Sequence, residues 1–141
     1  MFPSQRTLNN KIAFSGIGLH TGERSNMIVS PSNIDTWIVF KRTDLSEDIN
    51  ILADIDNVVE TKRGTTLGIG DNKIFTIEHF LSALNGLGID NAMIEIDNIE
   101  PPIFDGSSKP FVDKIYSFND VKKAHIRMEK RQQYGKIVLV P

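Results

Sequence analysis

The hydrophobic period of this chain changes once, and that change limits the folds open to it. Ile77, Phe80, Leu81 and Leu84 fall at i, i+3, i+4 and i+7, the apolar stripe of an amphipathic helix. Upstream, apolar residues come in short runs broken by turn signals, which is the pattern of strands. Ile12-Ala13-Phe14 leads into Ser15-Gly16-Ile17-Gly18, where two glycines permit a bend or bulge. Met27-Ile28-Val29 is stopped by Ser30-Pro31-Ser32-Asn33. Thr36-Trp37-Ile38-Val39-Phe40 is the most strand-like segment, rich in β-branched and aromatic residues. Weaker strands are expected over 57–59, 65–67 and 73–75, with Gly68 to Asn72 as a hairpin loop between the last two.

Thr76 stands before the helical stripe as an N-cap, and Gly86-Leu87-Gly88 ends it. Ala92 to Ile96 returns to strand character. Pro101-Pro102 interrupts regular structure, and Asp105-Gly106 is a turn pair. Pro110 opens a second helix, with Phe111, Ile115 and Phe118 facing inward. Strands followed by helix, strand and helix predict an α+β chain. The expected form is a two-layer β–α sandwich, a mostly antiparallel sheet packed by two helices. A first domain is expected over residues 1–121. The basic stretch from Lys122 leads to a strand, Ile137 to Val140, so 122–141 reads as the start of a missing second domain or as a terminal hairpin.

Composition narrows the functional classes. Hydrophobic residues make up 40% and charged residues 24% of 141, the balance of a globular protein rather than a disordered one. A formal net charge of −2 gives no basic field for nucleic acid. The absence of cysteine excludes disulfides and thiolate metal sites. Met1 to Arg6 lacks the apolar core of a signal peptide, and no apolar run reaches the length of a membrane span. The expectation is a cytoplasmic protein with peripheral membrane contact at most.

Four segments carry candidate chemistry. Glu78 and His79 occupy the first turn of the expected helix, so both project near its end. A neutral imidazole ligates zinc, and an adjacent carboxylate can take a proton from water. A glutamate in a first helical turn is also what the macrodipole favours without any chemistry. In Gly18-Leu19-His20-Thr21-Gly22, glycines place a histidine in an exposed loop, as a ligand contact or as an ordinary turn residue. Asp105 to Phe111 is either an anion-receiving loop or a turn with Ser107 or Ser108 as helix cap. Lys62 and Arg63 are either phosphate partners or a hydrated pair. His125 lies in the basic tail and is assigned no site.

Seven segments in order carry a family resemblance. They are Gln5-Arg6-Thr7-Leu8, Ser15 to Gly22, Arg42-Thr43-Asp44, Thr61 to Leu67, Thr76-Ile77-Glu78-His79, Gly86 to Asn91, and Asp105 to Phe111. Together they resemble the N-terminal domain of the UDP-3-O-acyl-N-acetylglucosamine deacetylases, zinc hydrolases of lipid A synthesis. The resemblance implies two similar β–α sandwich domains facing each other across the active site. It implies that His79 ligates Zn2+ and Glu78 is the general base. His20 matches a family histidine near the site that orients groups there and is counted among the catalytic residues; Leu19, Lys62 and Arg63 are expected to bind the substrate, the two cations suiting its nucleotide phosphates. The family's second domain brings a His and an Asp as further ligands, a histidine that protonates the leaving amine, and an oxyanion threonine. The segment similar to His-Lys-x-x-Asp that would carry them is not in these 141 residues. The expected partners are therefore the UDP-linked substrate and a C-terminal domain or separate second half. The chain alone is expected to bind zinc weakly or not at all and not to turn over substrate. The alternative is a non-catalytic half-domain that self-associates or complements.

Overall fold

The computed structural model describes residues 4–116. The expected α+β sandwich is present: eight strands and two α-helices in the order strands, helix, strand, helix. The strands are β1 (Ile12–Ile17), β2 (Arg24–Pro31), β3 (Ile38–Arg42), β4 (Asn50–Leu52), β5 (Val58–Glu60), β6 (Thr66–Ile69), β7 (Asn72–Ile74) and β8 (Ala92–Ile96). The helices are α1 (Glu78–Leu87) and α2 (Lys109–Ile115). A five-stranded sheet runs β1-β2-β8-β3-β4, antiparallel except where β3 lies parallel to β8. A three-stranded antiparallel sheet, β5-β6-β7, stands apart from it.

Alternation decides which face of the large sheet is buried. Val29, Ile94, Phe40 and Ile51 form one row across four strands, and all are fully buried. Phe14, Met27 and Ile96 form the next row. The helices cover this face with Phe80 and Phe111, whose rings meet at 5.2 Å. Phe14 lies 6.2 Å from the first ring and 5.3 Å from the second. Each such ring removed from water contributes roughly 1.5–3 kcal/mol. Ile77, Phe80 and Leu84 of the expected stripe are buried, and Leu81 packs half-buried against the core.

Three segments that carry the resemblance are structural ties. Arg42 is nearly buried and grips both carboxylate oxygens of Asp44 with its fork, while its third nitrogen donates to the Lys73 carbonyl at 3.0 Å. It thereby fastens the small sheet to the large one, and it holds the Asp44 carboxyl below its ordinary range. Buried Asn91 accepts from the Trp37 N–H at 2.8 Å and donates to Gln5 at 2.8 Å. The Arg6 carbonyl accepts from the N–H groups of Asp90 and Asn91, so the first segment is anchored beside the loop that follows α1.

Some local expectations are corrected. β1 keeps a continuous register through Gly16, with no bend or bulge. A Cβ at Gly16 would come 2.9 Å from Pro102 Cβ, so that glycine serves close packing instead. Gly86 lies inside α1, and Gly88 ends it in the left-handed region at φ 67°. The hairpin turn between β6 and β7 is shorter than expected, with only Gly70-Asp71 between the strands. β4 is a strand the polar stretch before it concealed. Phe118, His125 and the whole of 122–141 lie outside the described residues.

Candidate functional site

Glu78 and His79 are the first two residues of α1, and both are half-buried. The helix is not opened by Thr76. Ile77 takes the cap position in a helical conformation with no side-chain cap bond. Thr76 is instead buried in the left-handed region at φ 53°, an uncommon conformation for a β-branched residue. With its backbone left-handed, Thr76 does not take the cap position, and its hydroxyl makes no cap bond.

The Glu78 carboxylate faces the loop between β5 and β6. Its Oε2 accepts the Thr65 N–H at 3.0 Å. A Cβ at Gly64 would lie 3.3 Å from Glu78 Oε1 and 3.5 Å from the Thr76 hydroxyl. Gly64 therefore lets the loop backbone lie close against the carboxylate. Arg63, just before it, sits at φ 66°. Its carbonyl meets His20 Nε2 at 3.2 Å. A carbonyl only accepts, so Nε2 carries the proton in this contact.

His20 belongs to the loop between β1 and β2. That loop closes on itself through Gly18 N–H to the Glu23 carbonyl at 2.9 Å and Gly22 N–H to the Gly18 carbonyl at 3.1 Å. Its anchor is Glu100, a fully buried carboxylate. Glu100 accepts the His20 N–H at 3.0 and 3.2 Å and the Thr21 N–H at 3.0 Å. Burial opposes its ionisation. The bonds from the Thr21 and His20 N–H groups help to outweigh that cost, and the carboxyl lies below its ordinary range.

The structure thus joins His20, Arg63 and Glu78 through one chain of contacts. His79 enters through its carbonyl, which accepts the Ser108 hydroxyl at 2.8 Å and ties the start of α1 to the start of α2. Ser108 takes the expected N-cap position of α2, but with this bond its side chain makes no cap hydrogen bond. Ser107 meets the Lys109 N–H at 3.2 Å instead and donates to Asp105 at 2.8 Å. Asp105 is held below its ordinary range chiefly by that hydroxyl, which makes the loop a turn and cap. Leu19 and Lys62 are exposed on the two loops, and no hydrogen bond among the described residues ties either to the Glu78-His79 pair. Glu100 was missed by sequence reasoning. It lies in an irregular stretch beside two prolines, where a glutamate is ordinarily exposed, and its partners are about eighty residues away.

Among the described residues no three His, Cys, Asp or Glu side chains group as a metal site. The donor set nevertheless fits one side of a zinc site: an imidazole beside a carboxylate at an accessible helix start.

A family model described as UDP-3-O-acyl N-acetylglycosamine deacetylase matches residues 5–137. The UDP-3-O-acyl-N-acetylglucosamine deacetylase of Geobacter sp. (strain M21) is 46% identical over 137 residues, covering 97% of this chain and 43% of the relative. The deacetylase of the same name from Pseudomonas entomophila (strain L48) is 49% identical over 88% of this chain and 42% of its own length. A bifunctional enzyme LpxC/FabZ of Chlorobaculum tepidum is 50% identical over 83% of this chain and 25% of its own length. The chain therefore spans less than half the length of these curated relatives. The match runs through every element described above, and the chain belongs to the family of UDP-3-O-acyl N-acetylglycosamine deacetylases.

Proposed function

We propose that this chain is the N-terminal part of a zinc-dependent deacetylase. Its reaction is hydrolysis of the acetamide of UDP-3-O-acyl-N-acetylglucosamine, in lipid A biosynthesis. The observation that supports this most is the Glu78-His79 pair at the start of α1, with one Glu78 oxygen fixed by the Thr65 N–H, inside a family match that covers nearly the whole chain.

In this reading His79 offers a ring nitrogen to zinc, and Glu78 is the general base. Thr65 holds Oε2, which leaves Oε1 to receive the proton of the attacking water. The water oxygen adds to the acetamide carbon, the C–N bond breaks, and acetate and the free amine leave. Zinc, when bound, polarises the carbonyl and lowers the pKa of water. His20 orients the loop that carries Arg63, and Leu19, Lys62 and Arg63 line the approach of the nucleotide-linked substrate. The remaining zinc ligands, the acid for the leaving amine and the oxyanion donor come from a second domain or a separate second half. No described helix is long and apolar enough to cross a membrane. A cytoplasmic location with peripheral membrane contact at most remains part of the proposal.

The test is reconstitution. This chain is mixed with a separately produced second half of the enzyme and assayed for acetate release. Activity that requires both halves supports the reading. A stable dimer of this chain, with no activity in the mixture, supports the non-catalytic module instead.

A further inference from the structure

We infer that Glu100 is a positioning residue for Glu78, acting through the His20 loop and the Arg63–Thr65 turn. Three observations carry the inference. Glu100 is a fully buried carboxylate that spends its oxygens on the backbone of a loop eighty residues away, through the His20 and Thr21 N–H groups. The loop is built around that carboxylate: a Cβ at Gly18 would come 2.6 Å from Glu100 Oε2, so only glycine leaves room there. The loop then hands on the constraint, because His20 Nε2 donates to the Arg63 carbonyl at 3.2 Å. Two residues later the Thr65 N–H fixes Glu78 Oε2 at 3.0 Å.

The arrangement has a physical logic. Arg63, at φ 66°, holds an uncommon conformation two residues before the Thr65 N–H that meets Glu78. Such conformations persist only where surrounding bonds over-determine them. The His20 ring supplies one bond to the Arg63 peptide. One buried charge therefore braces the Arg63–Thr65 flank of the carboxylate in α1 through the His20 loop. Glu100 touches no substrate in this scheme. Its effect is on where Glu78 points, and a carboxylate displaced by a fraction of an ångström loses alignment with its proton.

That Glu78 is the base rests on the deacetylase reading; the brace itself does not. The test therefore has two arms. In the 141-residue chain, Glu100→Gln should shift the backbone amide resonances of His20 and Thr21 and also that of Thr65, which has no bond to Glu100. In a His20→Ala background the same substitution should leave Thr65 unmoved. A Thr65 shift that survives loss of the His20 ring overturns the relay, as does a response confined to His20 and Thr21. Should Glu100→Gln not fold, His20→Ala alone decides: the Thr65 amide must lose protection from hydrogen exchange, and unchanged protection overturns the inference. In the reconstituted enzyme, Glu100→Gln and His20→Ala should each lower kcat about 10- to 100-fold with KM little changed. Unaltered kcat in both overturns the positioning role. If intact halves give no turnover, the functional reading fails and the amide measurements still judge the brace.

Discussion

The Thr65 N–H and Glu78 Oε2 stand 3.0 Å apart, joining a surface loop to the first residue of α1. The bond leaves the two carboxylate oxygens unequal: one is held by the backbone and the other is available. A Glu78→Gln side chain can still accept the Thr65 N–H through its amide oxygen, so the fold should survive. It cannot take a proton. In the reconstituted enzyme kcat should fall by about 10²–10⁴, the range for a lost general base. The thermal midpoint of the chain should stay within a degree or two of the parent, as it does for substitutions that break no buried contact. Activity near the parent level would remove Glu78 from the base role.

Zinc retention separates a half-site from a whole one. Among the described residues no three metal-ligating side chains converge, and a catalytic zinc ordinarily has three protein ligands. The chain alone, loaded with zinc and dialysed, should therefore end well below one equivalent by atomic absorption. The mixture with a second half should retain one equivalent, and His79→Ala should abolish that retention. Stoichiometric zinc on the chain alone would mean that its residues complete a site by themselves.

Acid stability should report on Glu100. Its carboxyl is held below the ordinary value of 4.5 in the folded state, where the Thr21 and His20 N–H groups bond to it against the cost of burial. A depressed folded pKa means that the group's contribution is fully present above about 4.5, the unfolded value, and is lost as pH falls through the lower folded one. Glu100→Gln has no proton to gain there. Its denaturant midpoint should be lower than the parent's at neutral pH, and the gap should narrow as pH falls below 4.5. Asp44, held down by Arg42, stays in both proteins and sets a common residual slope. A gap independent of pH would show that the Glu100 charge does not stabilise the loop.

The elements were legible where period and turn chemistry agree. The stripe buries Ile77, Phe80 and Leu84, and the alternation of Ala92 to Ile96 buries every second residue; of the run Thr36 to Phe40 only Ile38 to Phe40 lies in a strand, with Trp37 exposed at φ 59°. The cap at Thr76 failed because the chain takes a left-handed turn there, a conformation that a β-branched residue does not announce, and the cap position falls one residue later, at Ile77. β4 was hidden because Asn50–Leu52 is a three-residue edge strand, too short for a period to show. Within the site, Glu78 and His79 were visible as an adjacent pair, and their position at the head of α1 followed from the stripe. Glu100 was not visible. Its function comes entirely from the meeting of two loops with the segment after β8, which no local pattern encodes.

Two glycines of one loop should fail for different reasons when replaced by alanine. At Gly18 the backbone is ordinary, but the added Cβ would come 2.4 Å from the Thr21 hydroxyl and 2.6 Å from Glu100 Oε2. Thr21 can rotate away. Glu100 can move only by giving up bonds to the His20 and Thr21 N–H groups. Overpacking of that kind costs roughly 1–3 kcal/mol. At Gly22 nothing lies within 4 Å, but φ is +66°. There the cost is the left-handed backbone alone, about 1–2 kcal/mol. Both substitutions should lower the midpoint in urea. Only Gly18→Ala should also shift the His20 and Thr65 amides, because only it pushes on the carboxylate. If Gly22→Ala moved Thr65 equally, the constraint on the turn would lie in the loop backbone rather than in Glu100.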